Sequence, residues 1–292
     1  MKKIVTITLA MLTVSAIAAY AATLDGTLDG AYGSPLSVQT TQTGFGDSNN
    51  GAIDNANGSE LDAAYGYVSG GTLYLFLAGN VESNFNKLDI FFDTVSGGQN
   101  VLRADNNGVD YNGLNNMAGL TFDPSFSADY YVGVTNGGGP VTIYANYAVL
   151  PTGGSGAGDY LGSSIPGSNG VLSGGTDHGI QVTLNNSNTA GVGNGCGAQS
   201  GAGVATGVEL AIPLAAIGSP SGCFNVVAFI NSGDHTYLSN QVLGALPVGT
   251  CNLGAASAVN FGSFAGNQFF QVCQGATPTH QSTWGQLKAT YR

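Results

Sequence analysis

A stretch early in the chain carries carboxylate and amide side chains that suit a hard metal ion. Ca²⁺ prefers such oxygen ligands on a bent, glycine-containing backbone. The spacing is not that of an EF-hand loop, and Asp, Asn and Gly are also ordinary turn residues. We therefore predict a structural Ca²⁺ site, with a solvated turn as the alternative. The candidate ligands are Asp47, Asn49, Asp54, Asn57, Glu60 and Asp62, and a sparser second set is Asp105, Asn107 and Asp110.

Four tyrosines form the candidate ligand-binding group: Tyr130, Tyr131, Tyr144 and Tyr147. They fall in two runs, 129–135 and 141–150, joined by a Gly- and Pro-containing turn, which predicts a β-hairpin. Such a hairpin is expected to bring Tyr131 near Tyr144. Aromatic faces stack on sugar rings through contacts like those that fill protein cores. The tyrosines therefore predict a glycan-binding surface, with cross-strand packing as the alternative.

Catalytic chemistry finds little support in the residue pattern. The three histidines, His178, His235 and His280, lie in turn-rich contexts. Asp177 and Asp234 precede two of them, but neighbouring side chains on a strand point to opposite faces. Neither a G-x-S-x-G nor an H-E-x-x-H motif occurs. We assign no catalytic residue and expect a protein that is not an enzyme.

The four cysteines lie in the last third of the chain, at Cys196, Cys223, Cys251 and Cys273. An even number of cysteines in an exported chain predicts two disulfides. Three pairings are possible, and the shortest loops favour Cys196–Cys223 with Cys251–Cys273, each worth about 3 kcal/mol. A metal site is disfavoured because the spacing contains no C-x-x-C pair.

The first residues predict export from a bacterial cell. In the segment 1–21, Lys2 and Lys3 precede an apolar core at 4–19, and residues 19–21 form an A-x-A cleavage site. No other stretch approaches the roughly 20 apolar residues of a membrane span. We therefore expect a secreted or cell-surface protein that has no membrane span once the signal is removed.

The charge excludes two classes of partner. The formal net charge is −11, and removal of Lys2 and Lys3 with the signal segment would make it −13. Nucleic acids and anionic lipid surfaces are bound by basic patches, which this composition cannot supply. Charged residues make up only 8% of the chain, whereas 43% are hydrophobic, which favours a packed fold with an uncharged polar surface.

Alternating apolar residues predict an all-β fold. The run 72–78 is apolar on both faces, and in 87–93 Leu88, Ile90 and Phe92 alternate with polar side chains, which predicts one buried face. We expect these two runs to pair as antiparallel neighbours. Further predicted strands are 36–43, 61–68, 129–135, 141–150, 180–184, 208–212, 224–231 and 267–273, and 214–217 is predicted to form one helical turn.

About ten strands separated by turn residues predict a single antiparallel β-sandwich, similar to a jelly roll, with long glycine-rich loops. We assign it to residues 22–281, followed by a tail strand at 282–292 that contains Trp284. The segments 105–116 and 151–177 are predicted to be loops, the second a long surface excursion. No shift in composition marks a second domain.

Three segments together resemble a known group of modules. They read Leu-Asp-Gly-Thr-Leu-Asp-Gly-Ala-Tyr-Gly at 24–33, Lys-Leu-Asp-Ile-Phe-Phe-Asp-Thr at 87–94 and Val-Glu-Leu-Ala-Ile-Pro-Leu-Ala-Ala-Ile-Gly at 208–218. Their order resembles β-sandwich modules related to family-nine carbohydrate-binding modules and DOMON domains. A group of exported bacterial proteins shares the opening and the block Asn-Phe-Asn-Lys-Leu. The resemblance implies a β-sandwich, glycan recognition and a structural calcium ion.

Two functions fit the sequence. The first is a secreted, non-enzymatic β-sandwich that binds extracellular material, glycan above all, with structural Ca²⁺. The alternative is a self-assembling structural subunit of an extracellular filament or surface layer, whose partners are other copies of itself. In that case the tail at 282–292 would complete the sheet of a neighbouring subunit.

Overall fold

The structure is a computed structural model that describes residues 22–46 and 58–275. In chain order the strands are β1 (Ser37–Val38), β2 (Glu60–Ser69), β3 (Thr72–Asn80), β4 (Asn84–Asp93), β5 (Tyr130–Gly137), β6 (Thr142–Val149), β7 (Gly158–Ser164), β8 (Ser173–Gly174), β9 (Gln181–Leu184), β10 (Gly207–Pro213), β11 (Cys223–Asn231), β12 (Tyr237–Leu243), β13 (Gly254–Ala255) and β14 (Phe270–Cys273). The predicted signal segment, tail strand and most of the predicted calcium loop lie outside these residues.

Two antiparallel sheets pack face to face, which confirms the predicted all-β sandwich. The smaller sheet has the order β1-β2-β3-β10-β9, and the larger has the order β13-β12-β11-β4-β5-β6-β7-β8, with β14 also paired to β11. The core between them is built from alternating apolar residues of both sheets, including Leu75, Leu77, Ile90, Val132 and Leu210. Burial of these side chains supplies the main driving force for the sandwich.

The larger sheet is covered on its outer face as well. A second apolar cluster there contains Phe91 and Tyr131 of the sheet and Phe122, Phe126 and Phe261 from covering segments. The expectation that 87–93 has only one buried face is therefore wrong. The polar side chains that alternate with the inner apolar residues of β4 lie under this cover rather than in water.

The predicted pairing of 72–78 with 87–93 is also wrong. The strand β3 pairs with β2 and β10, whereas β4 pairs with β5 and β11 in the other sheet. The short connection 81–83 crosses between the sheets. Both faces of β3 are apolar, and both are covered. The larger sheet covers one face, and a cluster that includes Tyr32 and Tyr67 covers the other.

Some strands differ from their predicted extent. Only Ser37–Val38 of the run 36–43 pairs with β2, because the next residues form single bridges with the segment 194–198 instead. The run 151–177 contains β7 and β8 and is not a simple surface excursion. The strand β12 was not predicted, since its centre is polar: Ser239, Asn240 and Gln241 are buried and hydrogen-bonded there.

Helical structure is short. The helix α1 (Val109–Asn116) lies within the predicted loop 105–116, and three consecutive non-glycine residues in it, Asp110, Tyr111 and Asn112, have φ of 49°, 55° and 71°. The predicted turn at Leu214–Ile217 is confirmed as a 3₁₀ helix. Further 3₁₀ turns, which were not predicted, lie at Gly30–Tyr32, Ala256–Ala258 and Phe261–Ser263. Among the described residues, no helix has the length and apolar character needed to cross a membrane.

The disulfides correct the predicted pairing. Cys196 is bonded to Cys251 and Cys223 to Cys273. Cys223 and Cys273 lie directly opposite each other on β11 and β14. The prediction from loop length was wrong, because strand pairing and loop packing determine which cysteines lie close together. Two bridges indicate an oxidising compartment.

We expect peptide mapping of the unreduced protein to recover these two bridges. Cleavage after Glu209, Tyr237 and Phe261 places each cysteine on a separate peptide. Mass spectrometry should then find the peptide of Cys196 joined to that of Cys251, and that of Cys223 joined to that of Cys273. The reduced sample serves as the control. Recovery of a Cys196–Cys223 pair would contradict the structure.

Candidate functional site

The hairpin of β5 and β6 forms as predicted, but its register separates the tyrosines. Tyr131 lies opposite Ala148, and Tyr144 lies opposite Thr135. The two rings are therefore offset by four residues along the strands, roughly 13 Å. The prediction that Tyr131 and Tyr144 lie near one another is wrong, because the register depends on the turn geometry.

Three of the four tyrosines make packing or hydrogen-bond contacts within the protein. Tyr131 is fully buried, and its hydroxyl donates a hydrogen bond of 2.8 Å to Asp89 Oδ1. Tyr130 and Tyr147 stack on each other at 6.3 Å, and the Tyr147 hydroxyl donates to the Ala216 carbonyl oxygen at 2.7 Å. Cross-strand packing, the alternative left open by the sequence, accounts for these three.

Tyr144 belongs to a surface group that the sequence did not reveal. The ring of Phe85 lies 6.3 Å from the Tyr144 ring, and the Phe85 side chain is 45% exposed. Phe85 sits in a bulge of β4, where the pairing with β5 shifts between Asn84 and Lys87. Its φ is 71°, a left-handed conformation that costs on the order of 1–2 kcal/mol for a residue with a side chain. The backbone conformation that presents this aromatic ring at the surface therefore lowers the stability of the fold.

A glycine opposite the bulge makes room for that ring. A Cβ on Gly137 of β5 would approach the Phe85 ring to 2.7 Å, so the ring lies over bare backbone. Any other residue at position 137 would displace it. The pair of a bulged phenylalanine and a facing glycine is the sequence signal that could have located this surface.

Tyr160 extends the group across the sheet. It lies opposite Asn146 of β6, two residues from Tyr144, and is 41% exposed. Diagonal neighbours on one sheet face lie about 7–8 Å apart. We define Phe85, Tyr144 and Tyr160 as the aromatic strip, which crosses the outer face of the larger sheet from β4 to β7.

Two of the predicted calcium ligands are described, and both are buried. Asn188 Nδ2 donates to Glu60 Oε1 at 2.6 Å and to Asp62 Oδ2 at 3.2 Å, so an amide nitrogen occupies the position between the two carboxylates. Asp62 Oδ1 accepts from the Val192 amide. Among the described residues, no group of three or more His, Cys, Asp or Glu side chains could hold a metal ion.

The other candidate calcium ligands fall into two groups. Asp47, Asn49, Asp54 and Asn57 lie outside the described residues, so calcium binding by this loop stays a prediction. Of the second set, Asp110 faces the protein interior, while Asp105 pairs with Arg103 at the surface at 2.7 Å. Asp105 and Asp110 are therefore engaged in separate contacts.

The Glu60–Asp62 pair has an electrostatic consequence. Burial raises the pKa of Asp62 to about 8, and the nearby charge of Glu60 acts in the same direction. Asp62 is therefore protonated at neutral pH. A bound cation would reverse this by favouring the carboxylate, which makes the pair a sensitive reporter of any metal on this side of the molecule.

A buried ion network lies under α1, on the outer face of β4. Lys87 Nζ lies 2.7 Å from Asp110 Oδ1, and Asp110 Oδ2 lies 3.1 Å from His235 Nε2. The other ring nitrogen of His235 lies 3.1 Å from Asp89 Oδ1, which also receives the Tyr131 hydroxyl. The four charged side chains are each at most 3% exposed. Two cations thus balance two anions in the interior.

Neighbouring charges shift the pKa of two members of this network, His235 and Asp110. Burial lowers the pKa of His235, but the two carboxylates outweigh it and raise the pKa to about 9. Burial raises the pKa of Asp110, yet its bonds to His235 and Lys87 bring the pKa below the usual value. Since both ring nitrogens of His235 face carboxylates, the imidazole has no free nitrogen for a substrate. The network holds α1 and the turn before β12 against the sheet.

A groove of about 290 Å³ lies at the β7 edge, lined by Leu161 and residues 171–181. In it His178 Nε2 lies 3.0 Å from Asp159 Oδ2, and Thr176 donates to Asp159 Oδ1 at 3.1 Å. The His178 ring lies tilted against the Tyr147 ring, with 4.5 Å between the ring centroids. Both Asp159 carboxylate oxygens already have hydrogen-bond partners within the protein, so neither is free to bind a ligand in the groove.

Comparisons with protein-family models, curated proteins and solved structures found no match for this chain.

Proposed function

We propose that the protein is a secreted, non-enzymatic β-sandwich that binds extracellular glycan on the aromatic strip. The observation that carries the proposal is the conformation of Phe85, a partly exposed ring held in a left-handed bulge above a glycine. Strained residues of this kind persist where function requires them. Bulges also commonly re-aim a side chain at a binding site.

The chemistry of the strip suits a neutral, ring-shaped ligand. Its aromatic faces offer apolar contact to the face of a sugar ring. The negative formal charge of the chain disfavours polyanionic ligands. A neutral polysaccharide, with apolar ring faces and hydroxyl edges, matches both properties. The two disulfides and the predicted signal segment support an extracellular setting.

Gel retardation in soluble neutral polysaccharides, together with pull-down on insoluble cellulose and chitin, tests this proposal. We expect retardation or capture of the wild-type protein and its loss in Phe85→Ala and Tyr144→Ala, because each removes one ring of the strip. Tyr237→Ala is the matched control, since Tyr237 is also 45% exposed but stacks on Phe45 elsewhere. Equal binding by wild type, the strip variants and the control would exclude the strip as the site.

Phe85→Gly separates binding from folding. Glycine adopts φ of 71° without strain, so the gain in backbone energy offsets the lost ring contacts, and we expect the free energy of unfolding to change by no more than about 1 kcal/mol. Binding should nevertheless be lost. A variant that is stable but does not bind would assign the strain at Phe85 to ligand recognition.

Self-association is the competing use of the same rings. An exposed aromatic patch also suits contact with another copy of the chain, as in the filament or surface-layer alternative. Size-exclusion chromatography of wild type and Phe85→Ala distinguishes the two. A monomer whose elution does not depend on Phe85 supports glycan binding, whereas large species that disappear in the variant support assembly.

A further inference from the structure

We propose that Lys87 and Asp110 condense to an internal amide bond that joins β4 covalently to α1. The two side chains lie in contact, with Nζ 2.7 Å from Oδ1, and each is 3% exposed. This bond would be a third covalent cross-link in addition to the two disulfides. It is independent of the proposed glycan binding, because neither residue belongs to the aromatic strip.

The buried ammonium group is poorly served as an ion. An ammonium has three N–H donors, and within residues 22–46 and 58–275 Lys87 Nζ makes one hydrogen bond, to Asp110. Keeping a charge in the interior costs several kcal/mol unless its partners compensate. Amide formation removes both charges and two of the three N–H donors. Desolvation therefore favours the condensed product.

The rest of the network remains balanced after the reaction. Asp89 and His235 are the second ion pair of the cluster, with Asp89 also receiving bonds from Tyr131 and Asn231. Loss of the Lys87–Asp110 charges therefore leaves one cation facing one anion. No uncompensated charge is created by the bond.

His235 is placed to assist the chemistry. Its Nε2 lies 3.1 Å from Asp110 Oδ2, the carboxyl oxygen that does not contact Lys87. As an imidazolium it donates a hydrogen bond that draws electrons from the carboxyl carbon and supplies a proton to the departing oxygen. Asp89 is the positioning residue, because it fixes the opposite ring nitrogen.

The step balances without any co-reactant. Proton transfer from Nζ to the carboxyl group gives a neutral amine, which forms a bond to Cγ of Asp110. The Cγ–Oδ2 bond then breaks, and this oxygen leaves as water. The two protons given up by Nζ equal the two taken by the oxygen, and His235 relays one of them and returns to its starting state.

The backbone holds the reacting groups in place. Asp110, Tyr111 and Asn112 all have positive φ, which is rare for non-glycine residues and stores strain. Gly113 lets the imidazole approach, since a Cβ there would lie 2.4 Å from His235 Nε2. Fixed proximity of this kind replaces a bimolecular encounter by an intramolecular one.

The arginine positions of the chain provide a direct test. Arginine occurs at 103 and 292, so cleavage after Arg103 places Lys87 and Asp110 on different fragments, with all four cysteines on the second. We expect the full-length protein to weigh less than its sequence by one water molecule in addition to its disulfide hydrogens. After reduction, denaturation and arginine-specific cleavage, the two fragments should remain joined.

Matched variants locate the bond. Lys87→Arg keeps the positive charge but removes the amine nucleophile. It also adds a cleavage site after position 87, so residues 88–103 and 104–292 should separate, and the mass of the intact variant should lack no water. Lys288→Arg adds only a cleavage site after position 288, and its fragments 1–103 and 104–288 should stay joined. Separate wild-type fragments would overturn the proposal whether or not water is missing, because a cyclic imide at an Asp-Gly sequence loses water without joining fragments.

Discussion

The protein should be most stable near pH 4–5 and should lose stability as the pH rises to 9. Two buried groups set this direction. The pKa of Asp62 is raised to about 8 by burial and by Glu60, and that of His235 is raised to about 9 by its carboxylate neighbours despite burial. In both cases the folded state holds its proton to a higher pH than the unfolded chain does.

The sign follows from proton binding. Between pH 4 and 8 folded Asp62 is protonated while the unfolded side chain is not, so each unit of pH rise in this window lowers the free energy of unfolding. At about 1.4 kcal/mol per unit, the full effect is on the order of 5 kcal/mol. The stabilisation from His235 is complete below pH 6.5 and is lost as the pH rises through about 9. Asp110, whose pKa is lowered, acts in the opposite direction only at acidic pH.

Denaturant unfolding at a series of pH values measures this dependence. Asp62→Asn is neutral at every pH and should remove most of the slope between pH 5 and 8, while leaving the contribution of His235 near pH 9. Stability that rises from pH 5 to 8 in the wild type would contradict the assignment of a protonated Asp62.

Calcium provides a second arm of the same experiment. A cation bound beside Glu60 and Asp62 would favour the ionised carboxylates and flatten the slope. A slope that is identical with calcium and with chelator would oppose the calcium prediction for the segment 47–62. The measurement therefore tests the predicted cofactor without any assumption about the ligand of the strip.

Asp89→Ala should destabilise the protein by about 3–5 kcal/mol, because it leaves Nδ1 of a buried imidazolium without its carboxylate partner. It also removes the acceptor of the Tyr131 hydroxyl and of Asn231 Nδ2. Denaturant unfolding at pH 6, where His235 is charged in the folded state, measures this loss directly.

Asp93→Ala is the matched control on the same strand. Asp93 is only partly buried, and its Oδ2 accepts from Asn225 Nδ2 at 3.2 Å. We expect a loss of about 1 kcal/mol, typical of one hydrogen bond. A similar loss in both variants would mean that the buried network under α1 has no special role in holding the fold together.

The structure changes the interpretation of two charged residues of β4, Lys87 and Asp89. From the sequence, Lys87 and Asp89 belong to the polar face of a half-buried strand. In the structure that face is covered by α1 and the aromatic cluster around Phe122, so its charges must be paired. The contacts of Lys87 with Asp110 and of Asp89 with His235, together with the Tyr131 hydroxyl, provide this pairing. The region is therefore both stabilising and sensitive to substitution.

The residue pattern was sufficient to predict the all-β sandwich. Alternation in runs such as 87–93 and 224–231 predicted strands, since a residue period of two places every second side chain in the core. Turn residues between the runs predicted the antiparallel connections, including the hairpin of β5 and β6. These are local properties, so a single chain contains all the information needed for them.

Contacts between residues far apart in the chain could not be predicted in the same way. The sequence favoured Cys196–Cys223, but strand pairing brings Cys223 to Cys273. It placed His235 and Asp89 in unrelated contexts, although they form an ion pair across 146 residues of chain. Contacts of this range depend on sheet order and register, which hydrophobic periodicity does not encode.

The candidate site was likewise predicted only in part from the sequence. Aromatic residues in the hairpin suggested a ligand surface, and Tyr144 does lie beside the partly exposed ring of Phe85. Phe85 and Tyr160 join it only because a bulge turns one ring outward, Gly137 leaves space beneath it, and β7 brings the other ring across the sheet. Side-chain exposure at such a surface is set by backbone conformation and by neighbouring strands, and for that physical reason the chain alone could not reveal it.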